Sequence, residues 1–210
     1  MESTKKINMT SIESVKDSLD LKSLKVCVIG NGRIGLPTAL SFANAGLKTI
    51  GVDINQNLID MINNNNFPLK DEVGYEEIFH RVLENKNLSV TSNTKSAVES
   101  SDLILLSLPT PMNKENIPYY DALQSVGKNL SEILQPNSLV IVESTIEPGF
   151  IENELINLIE SSGRLKIKQD FTIGVCPENA NPGQILHDFT NLPRLVGGID
   201  ENTREIIKMI

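Results

Sequence analysis

Seven short apolar runs, each with the composition of a β-strand, alternate with helical patterns along the 210-residue chain. Several runs are almost continuously hydrophobic, which is typical of strands in a parallel sheet that is covered on both faces. This alternation predicts an α/β fold with a doubly wound, mostly parallel sheet and helices on both faces. The predicted strands are residues 24–30, 48–54, 88–92, 102–108, 138–144, 171–176 and 194–199, and the predicted helices are residues 34–45, 55–64, 75–85, 94–99, 119–134 and 150–161.

A glycine-rich turn, GNGRIG, stands between the first predicted strand and the first predicted helix. Gly30, Gly32 and Gly35 have the spacing G-x-G-x-x-G, and Asp53 ends the following strand about twenty residues later. In such a βαβ unit the first glycine allows a tight turn, the second lets a diphosphate approach the backbone, and the third lets helix and strand pack closely. The helix start then supplies free N–H groups and its dipole to the diphosphate. The pattern predicts a Rossmann-type dinucleotide site.

Asp53 also indicates which dinucleotide is bound. A carboxylate at this place accepts hydrogen bonds from the hydroxyls of the adenosine ribose and repels a 2′-phosphate. The next residues, Ile54 and Asn55, supply no cation that could attract such a phosphate. NAD is therefore the expected cofactor, rather than NADP.

The charge and hydropathy of the chain exclude several function classes. The formal net charge is −8, and the lysines and arginines form no stripe. Because nucleic-acid binding depends on clustered cations, no nucleic-acid partner is expected. No apolar run approaches the length of a membrane span, and the first residues, MESTKKINMTS, lack the apolar run of a secretory signal. A cytoplasmic location without a membrane partner is expected.

The two cysteines, Cys27 and Cys176, offer neither a zinc-site spacing nor a disulfide framework. Both lie in apolar strand-like runs, where a reduced and buried thiol is expected. His80 and His187 have no cysteine or histidine partner at ligand spacing. The sequence therefore predicts no metal site.

Three loops with proline-fixed turns and polar side chains each follow a predicted strand. They are LPTPMN (108–113), ESTIEPG (143–149) and CPENANPGQILHDF (176–189). Ligands of open α/β sheets bind beyond the carboxyl ends of the strands, where these loops begin. The loops are therefore expected to carry the chemistry that the glycine turn does not.

In combination, these motifs resemble the UDP-glucose/GDP-mannose dehydrogenase family of nucleotide-sugar 6-dehydrogenases. The motifs are GNGRIGLPTA (30–39), LPTP (108–111), EST with PG (143–149), and CPE, NPG and LPRLVGG (176–198). The resemblance runs from about residue 24 to residue 199. It implies an NAD domain joined by a long helix to a second domain, and oxidation of a C6 alcohol to a carboxylate through a cysteine thioester with two molecules of NAD.

The resemblance also implies roles for individual residues. It places Thr145 near the reacting carbon of the substrate, where a hydroxyl can orient a water or bind the substrate oxygen. It assigns to Glu178 the positioning or deprotonation of the hydrolytic water, a role that suits a carboxylate. The residues that it places beside the cofactor are Gly30, Asn31, Gly32, Arg33, Ile34, Gly35, Asp53, Thr110 and Thr145.

Some positions distinguish branches of the family. Glu143 before Ser144 and the NPG form are similar to the UDP-N-acetylhexosamine branch, especially the UDP-N-acetylmannosamine dehydrogenases. Pro182 stands where the UDP-glucose enzymes usually have a second glutamate, and Asn179 stands where the hexosamine branch often has an arginine. Glu143, the NPG form and Pro182 favour a UDP-N-acetylhexosamine as the substrate, whereas Asn179 departs from that branch.

Three segments are expected along the chain. Residues 1–22 form an N-terminal extension, either an amphipathic helix with a capping box at Thr10–Glu13 or a frayed tail. Residues 23–199 form the NAD-binding domain. Residues 200–210 begin a helix with an unpaired apolar side that leads to a further, absent domain.

The family's nucleophilic cysteine belongs to a segment that is not in this sequence, so neither Cys27 nor Cys176 inherits its role. The chain alone is therefore expected to bind NAD without oxidising a sugar, and its full-length form is expected to be a homodimer. Two alternatives remain open. One is a domain of the 3-hydroxyacid or 6-phosphogluconate dehydrogenase type, and the other is a stand-alone NAD-binding module without catalysis.

Overall fold

The computed structural model describes residues 6–20 and 22–210, and a seven-stranded sheet lies at its centre. The strands are β1 (Lys25–Ile29), β2 (Lys48–Val52), β3 (Leu88–Thr91), β4 (Leu103–Leu106), β5 (Ser138–Val142), β6 (Phe171–Val175) and β7 (Gly197–Gly198). Their order across the sheet is β3-β2-β1-β4-β5-β6-β7. The strands from β1 to β6 pair in parallel, and β7 pairs antiparallel with β6. The predicted fold class is confirmed.

Helices cover both faces of the sheet. They are α1 (Ile12–Asp20), α2 (Gly35–Asn44), α3 (Gln56–Asn63), α4 (Tyr75–Glu84), α5 (Thr94–Glu99), α6 (Asp121–Ile133), α7 (Ile156–Glu160), α8 (Ile185–Asn191) and α9 (Glu201–Met209). A π-helical turn, Ile151–Leu155, leads into α7. In the described ranges, no helix combines the length and apolar character that crossing a membrane requires.

Each central strand contributes to two hydrophobic cores, one on either face of the sheet. In β1, Val26 and Val28 belong to the core beneath α2, α4 and α9, whereas Cys27 and Ile29 belong to the core beneath α5, α6 and α7. Successive side chains of a strand point to opposite faces, so burial on both faces requires apolar residues at every position. This is why the sequence of each central strand is continuously apolar.

The order of the strands also explains where a ligand can bind. From β1 the chain winds outward to β2 and β3, and then crosses back to β4 on the other side of β1. The connections that leave the carboxyl ends of β1 and β4 therefore run in opposite directions. A crevice opens between them, which is the usual ligand position in an open α/β sheet.

The N-terminal extension contains α1, which packs against α9. Met9 and Val15 from the extension and Ile206 and Ile207 from α9 are buried in the same core. The expectation that the apolar side of the last helix would be unpaired is therefore wrong, because the extension and the sheet cover it. Residues 1–5 and 21 of the predicted extension lie outside the described residues.

Two local features differ from the expectations. The cap of α1 lies one residue later than the predicted box, since the hydroxyl of Ser11 accepts a hydrogen bond from the Ser14 N–H at 3.3 Å. Helix α8 was not predicted, because its segment follows Pro182-Gly183 and is too short to show helical periodicity. Its first residue is preceded by Gln184, whose side chain forms no cap.

Candidate functional site

A cleft of about 890 Å³ lies at the carboxyl ends of β1 and β4. Its lining includes eight of the ten predicted site residues: Gly30, Gly32, Arg33, Ile34, Asp53, Thr110, Thr145 and Glu178. The other two, Asn31 and Gly35, are buried next to the cleft. The topology thus brings the glycine turn and the three polar loops to one place.

The three glycines of the turn have different surroundings. Gly30 has a φ of +91°, and a Cβ atom there would lie 2.3 Å from the Ser107 carbonyl oxygen. At Gly35 a Cβ would lie 1.8 Å from the Gly30 carbonyl oxygen, so helix and turn approach as closely as only glycine permits. At Gly32 a Cβ would meet no atom within 4 Å. Gly32 therefore keeps a space at the cleft wall free for a ligand.

Helix α2 begins at this turn, and its first turn is not capped by a side chain. The uncapped N–H groups and the helix dipole favour an anion at this position. Together with the open space at Gly32, they fit the diphosphate of a dinucleotide.

Asp53 lies at the end of β2 with both carboxylate oxygens directed by backbone donors. Its Oδ2 accepts a hydrogen bond from the Asn31 N–H and its Oδ1 accepts one from the Asn55 N–H, both at 2.8 Å. A carboxylate has about four acceptor positions, so it can still accept bonds from two ribose hydroxyls. Among the described residues that line the cleft, Arg33 is the one basic side chain.

Asn31 and Arg33 have side chains that are already engaged by the protein. Asn31 Nδ2 donates to the carbonyl oxygens of Val28 at 3.1 Å and Val52 at 2.9 Å, so the amide joins β1 to β2 beneath the turn. Arg33 lines the cleft, but its Nη1 donates to Asp71 at 2.6 Å and to Glu72 at 3.0 Å. Of the two, only Arg33 presents its side chain to the cleft.

The loops after β4 and β5 are fastened to each other by Ser144. Its hydroxyl donates to the Leu106 carbonyl oxygen at 3.1 Å and accepts from the Leu108 N–H at 2.8 Å. Thr110 and Thr145 follow these anchored positions and line the cleft. Thr145 is exposed, so its hydroxyl is accessible to a bound molecule.

Two acidic side chains, Glu143 and Glu178, line the other side of the cleft, and Arg194 lies between them without lining it. Arg194 Nη2 donates to Glu143 Oε1 at 3.2 Å and lies 2.9 Å from Glu178 Oε2, in an ion pair whose angle is outside hydrogen-bond range. The Thr38 hydroxyl also donates to Glu143 at 2.9 Å. Burial raises the pKa of Glu143, and the charge of Arg194 and the bond from Thr38 oppose that rise.

Glu178 itself is held in place by its own loop. Its Oε1 accepts hydrogen bonds from the N–H groups of Asn179 and Ala180, both at 2.7 Å. The carboxylate is about one-tenth exposed and lies at the cleft wall. It is therefore a fixed group at the cleft wall, with Oε2 buried beside Arg194.

Sequence reasoning missed Arg194 and Glu72. Arg194 belongs to the motif LPRLVGG, but nothing in that motif indicates its two acidic partners, and Glu72 lies in a segment without any motif. Arg194 also places a cation beside Cys176, because it donates to the Cys176 carbonyl oxygen at 3.2 Å.

Neither thiol has the environment of a nucleophile. Burial raises the pKa of Cys27 to about 12. Burial also raises the pKa of Cys176, and the charge of Arg194 only partly offsets it. Across residues 6–20 and 22–210, no three His, Cys, Asp or Glu side chains are grouped so that they could hold a metal ion.

The fold, the glycine turn and the acid at the end of β2 define this chain as a Rossmann-type dinucleotide-binding domain. Residues 24–210 match the model of the NAD binding domain of the UDP-glucose/GDP-mannose dehydrogenase family. The chain belongs to this family. The predicted resemblance is confirmed, and the cofactor of the domain is NAD.

Similar proteins and solved structures support this assignment. The chain is 35% identical over 188 residues to the UDP-N-acetyl-D-mannosamine dehydrogenase of Campylobacter jejuni, covering 86% of this chain and 45% of that protein. It is similar to the structure of the UDP-N-acetyl-mannosamine dehydrogenase Cap5O from Staphylococcus aureus, with a TM-score of 0.80, 32% identity and coverage of 88% and 44%. A ternary complex of GDP-mannose dehydrogenase from Pseudomonas aeruginosa matches with a TM-score of 0.82, 27% identity and coverage of 88% and 43%. The chain thus spans less than half the length of each of these relatives.

Proposed function

We propose that this chain is the NAD-binding part of a nucleotide-sugar 6-dehydrogenase that oxidises the C6 alcohol of a UDP-N-acetylhexosamine, such as UDP-N-acetylmannosamine, to the carboxylate. The observation that carries the proposal is the single cleft shared by the glycine turn, Thr145 and Glu178. The UDP-N-acetylmannosamine dehydrogenases among the relatives support the choice of sugar.

The residues of the cofactor side bind and orient the dinucleotide. Gly32 and the start of α2 receive the diphosphate, Asp53 binds the adenosine ribose, and Thr110 lies beside the cofactor. Arg33 adds a cation at the same wall. NAD, when bound, accepts the hydride that leaves the substrate carbon.

Thr145 and Glu178 act on the substrate side. The accessible hydroxyl of Thr145 binds the substrate oxygen or orients a water near the reacting carbon. Glu178, held by two backbone N–H groups and paired with Arg194, positions the hydrolytic water and accepts a proton from it. Glu143, almost fully buried at the cleft wall, keeps Arg194 in place.

The proposal includes inactivity of the 210-residue chain by itself. Two oxidations with two molecules of NAD require a thiolate that traps the aldehyde, and the pKa values of Cys27 and Cys176 are both raised by burial. Hydride transfer further requires the sugar to be held within about an ångström of its productive position. NAD binding without turnover is the expected behaviour.

Two measurements test the proposal. Calorimetric titration of the chain should show NAD binding in clear preference to NADP. NADH production should be absent for the chain and present for the product of the complete gene with UDP-N-acetylmannosamine, at a higher kcat/KM than with UDP-glucose or UDP-N-acetylglucosamine. Turnover of a free 3-hydroxyacid without any UDP-sugar activity would favour the hydroxyacid alternative. If the complete gene product formed no NADH with any substrate, a non-catalytic module would be favoured.

A further inference from the structure

Glu72 is a buried carboxylate that connects two parts of the cleft. It lies in the segment between α3 and α4, and its side chain is 1% exposed. On one side it accepts a hydrogen bond from Arg33 Nη1 at 3.0 Å. On the other side it accepts from the N–H groups of Gly183 at 2.9 Å and Ile185 at 3.3 Å. Arg33 belongs to the glycine turn, whereas Gly183 and Ile185 belong to the loop that carries Glu178.

Because Glu72 is buried, the loss of these contacts would be energetically costly. A carboxylate taken out of water is costly unless hydrogen bonds and an opposite charge compensate it, and these three donors provide that compensation. The side chain also replaces the missing cap of α8, whose preceding residue Gln184 forms none. The position of the loop at 183–185 therefore depends on a residue more than a hundred positions away.

Arg33 can serve Glu72 and a phosphate at the same time. Within the described part of the chain, Asp71 and Glu72 both accept from Nη1, and Nη2 and Nε have no protein partner. A guanidinium has five N–H donors in a planar fork that matches phosphate oxygens. Its side chain is 46% exposed and lines the cleft, so the unused donors are accessible to a dinucleotide diphosphate.

We propose that Glu72 is a positioning residue that couples dinucleotide binding to the order of residues 178–185. A diphosphate bound by the unused donors of Arg33 fixes its guanidinium. The fixed guanidinium holds Glu72, and Glu72 holds the N–H groups of Gly183 and Ile185. The consequence is that the loop that carries Glu178 is more strongly ordered when the cofactor is bound. The role of Glu178 rests on the proposed function, whereas the coupling itself requires only NAD.

Amide hydrogen exchange of the 210-residue chain, with and without saturating NAD, tests this coupling. In the unaltered chain, NAD should slow the exchange of the Gly183 and Ile185 amides by roughly fivefold or more, the lower end of typical coupling between sites. Arg33→Gln and Glu72→Gln should each abolish the slowing while the rest of the sheet keeps its protection. Because Arg33 is half exposed, Arg33→Gln tests the coupling even where Glu72→Gln fails to fold.

Asp71→Asn is the matched control. Asp71 shares Nη1 of Arg33 with Glu72, but among the described residues its side chain makes no hydrogen bond to the loop at 178–185. The NAD-dependent slowing should therefore persist in this variant. A purely structural role of Glu72 would raise the exchange rate equally with and without NAD, and would leave the ratio of the two rates unchanged.

The outcomes separate this inference from the proposed function. Calorimetric NAD binding without a change in the exchange of Gly183 and Ile185 would overturn the coupling and leave the proposed function intact. Loss of the slowing in Asp71→Asn as well would show that charge near Arg33, rather than Glu72, carries the effect, and would also overturn it. Failure of the unaltered chain to bind NAD would overturn both.

Discussion

Gly35 lies so close to Gly30 that a Cβ atom at position 35 would stand 1.8 Å from the Gly30 carbonyl oxygen. The contact lets the first turn of α2 pack directly on the turn that follows β1. Gly32, between them, would place a Cβ in open space beside the cleft. The three glycines of one motif are thus required for different reasons, and two of those reasons concern folding rather than binding.

This difference predicts opposite results for two alanine substitutions. Gly35→Ala should lower the free energy of unfolding by about 1–3 kcal/mol or more, because the new methyl group overlaps backbone atoms that cannot rotate away. Gly32→Ala should leave stability within about 0.5 kcal/mol and weaken NAD binding roughly tenfold, since its methyl group would occupy the space that we propose for the diphosphate. Chemical denaturation and calorimetry measure the two effects. Equal loss of stability in both variants would contradict the assignment.

Asp53 should determine the preference for NAD over NADP. Asp53→Asn keeps one acceptor oxygen but removes the charge that repels a 2′-phosphate, so the ratio of NAD to NADP affinity should fall by roughly tenfold. Asp53→Ala should weaken NAD binding as well, because the ribose hydroxyls lose their acceptor. Titrations with both dinucleotides provide the measurement. If the ratio of NAD to NADP affinity were unchanged in Asp53→Asn, the charge of Asp53 would not determine the specificity.

The sequence predicted the parts of the structure that depend on local pattern. Each predicted strand contains the observed one, and for central strands such as β4 and β5 the reason is that burial on both faces requires a continuous apolar run that is visible in the sequence. The position of the cleft followed from topology, since parallel strands bring their carboxyl ends to one edge. For this reason the sequence predicts that Asp53, Thr110 and Glu178 lie at one site, and all three line the cleft.

The parts that the sequence did not reveal depend on partners far apart in the chain. Glu72 contacts residues separated from it by 39 and 111 positions, and Arg194 contacts Glu143 across 51 positions. Burial turns these charged residues into obligatory partners, yet a single charged residue in a polar segment looks like any solvated one. The covering of α9 by α1 was missed for the same reason.

The two thiols should be nearly inert in the folded chain. Burial raises the pKa of Cys27 to about 12 and also raises the pKa of Cys176, so both thiols are protonated near neutral pH. A chromogenic disulfide reagent should react slowly with the native chain and quickly with both thiols in concentrated guanidinium chloride. Cys176→Ser should remove most of the slow native reaction, because Cys27 is fully buried. Rapid labelling of Cys176 in the native chain would show that this thiol can act as a nucleophile.

Arg194 should stabilise the fold in a pH-dependent way, because it lies between two carboxylates of which Glu143 is 2% exposed. Arg194→Met leaves both acids without their cation. Removing one partner of a buried ion pair typically lowers the free energy of unfolding by roughly 3–5 kcal/mol. Near neutral pH the decrease for Arg194→Met should lie near the lower end of this range, since 29% of the Arg194 side chain is exposed. Denaturant unfolding across a pH series provides the measurement.

The sign of the pH dependence follows from Glu143. Burial raises its folded-state pKa above the ordinary 4.5, and loss of Arg194 should raise it further. A carboxyl group whose pKa is raised in the folded state stabilises the fold fully at pH values below its unfolded-state pKa. This stabilisation is lost as the pH rises through the folded-state pKa. The cost of Arg194→Met should therefore be small near pH 4.5 and grow toward neutral pH, and adding Glu143→Gln should flatten this trend.

Arg204→Met, which removes an exposed arginine on α9, is the control and should cost less than about 1 kcal/mol without such a trend. A cost for Arg194→Met that is constant with pH would show that Glu143 does not depend on Arg194 for its charge.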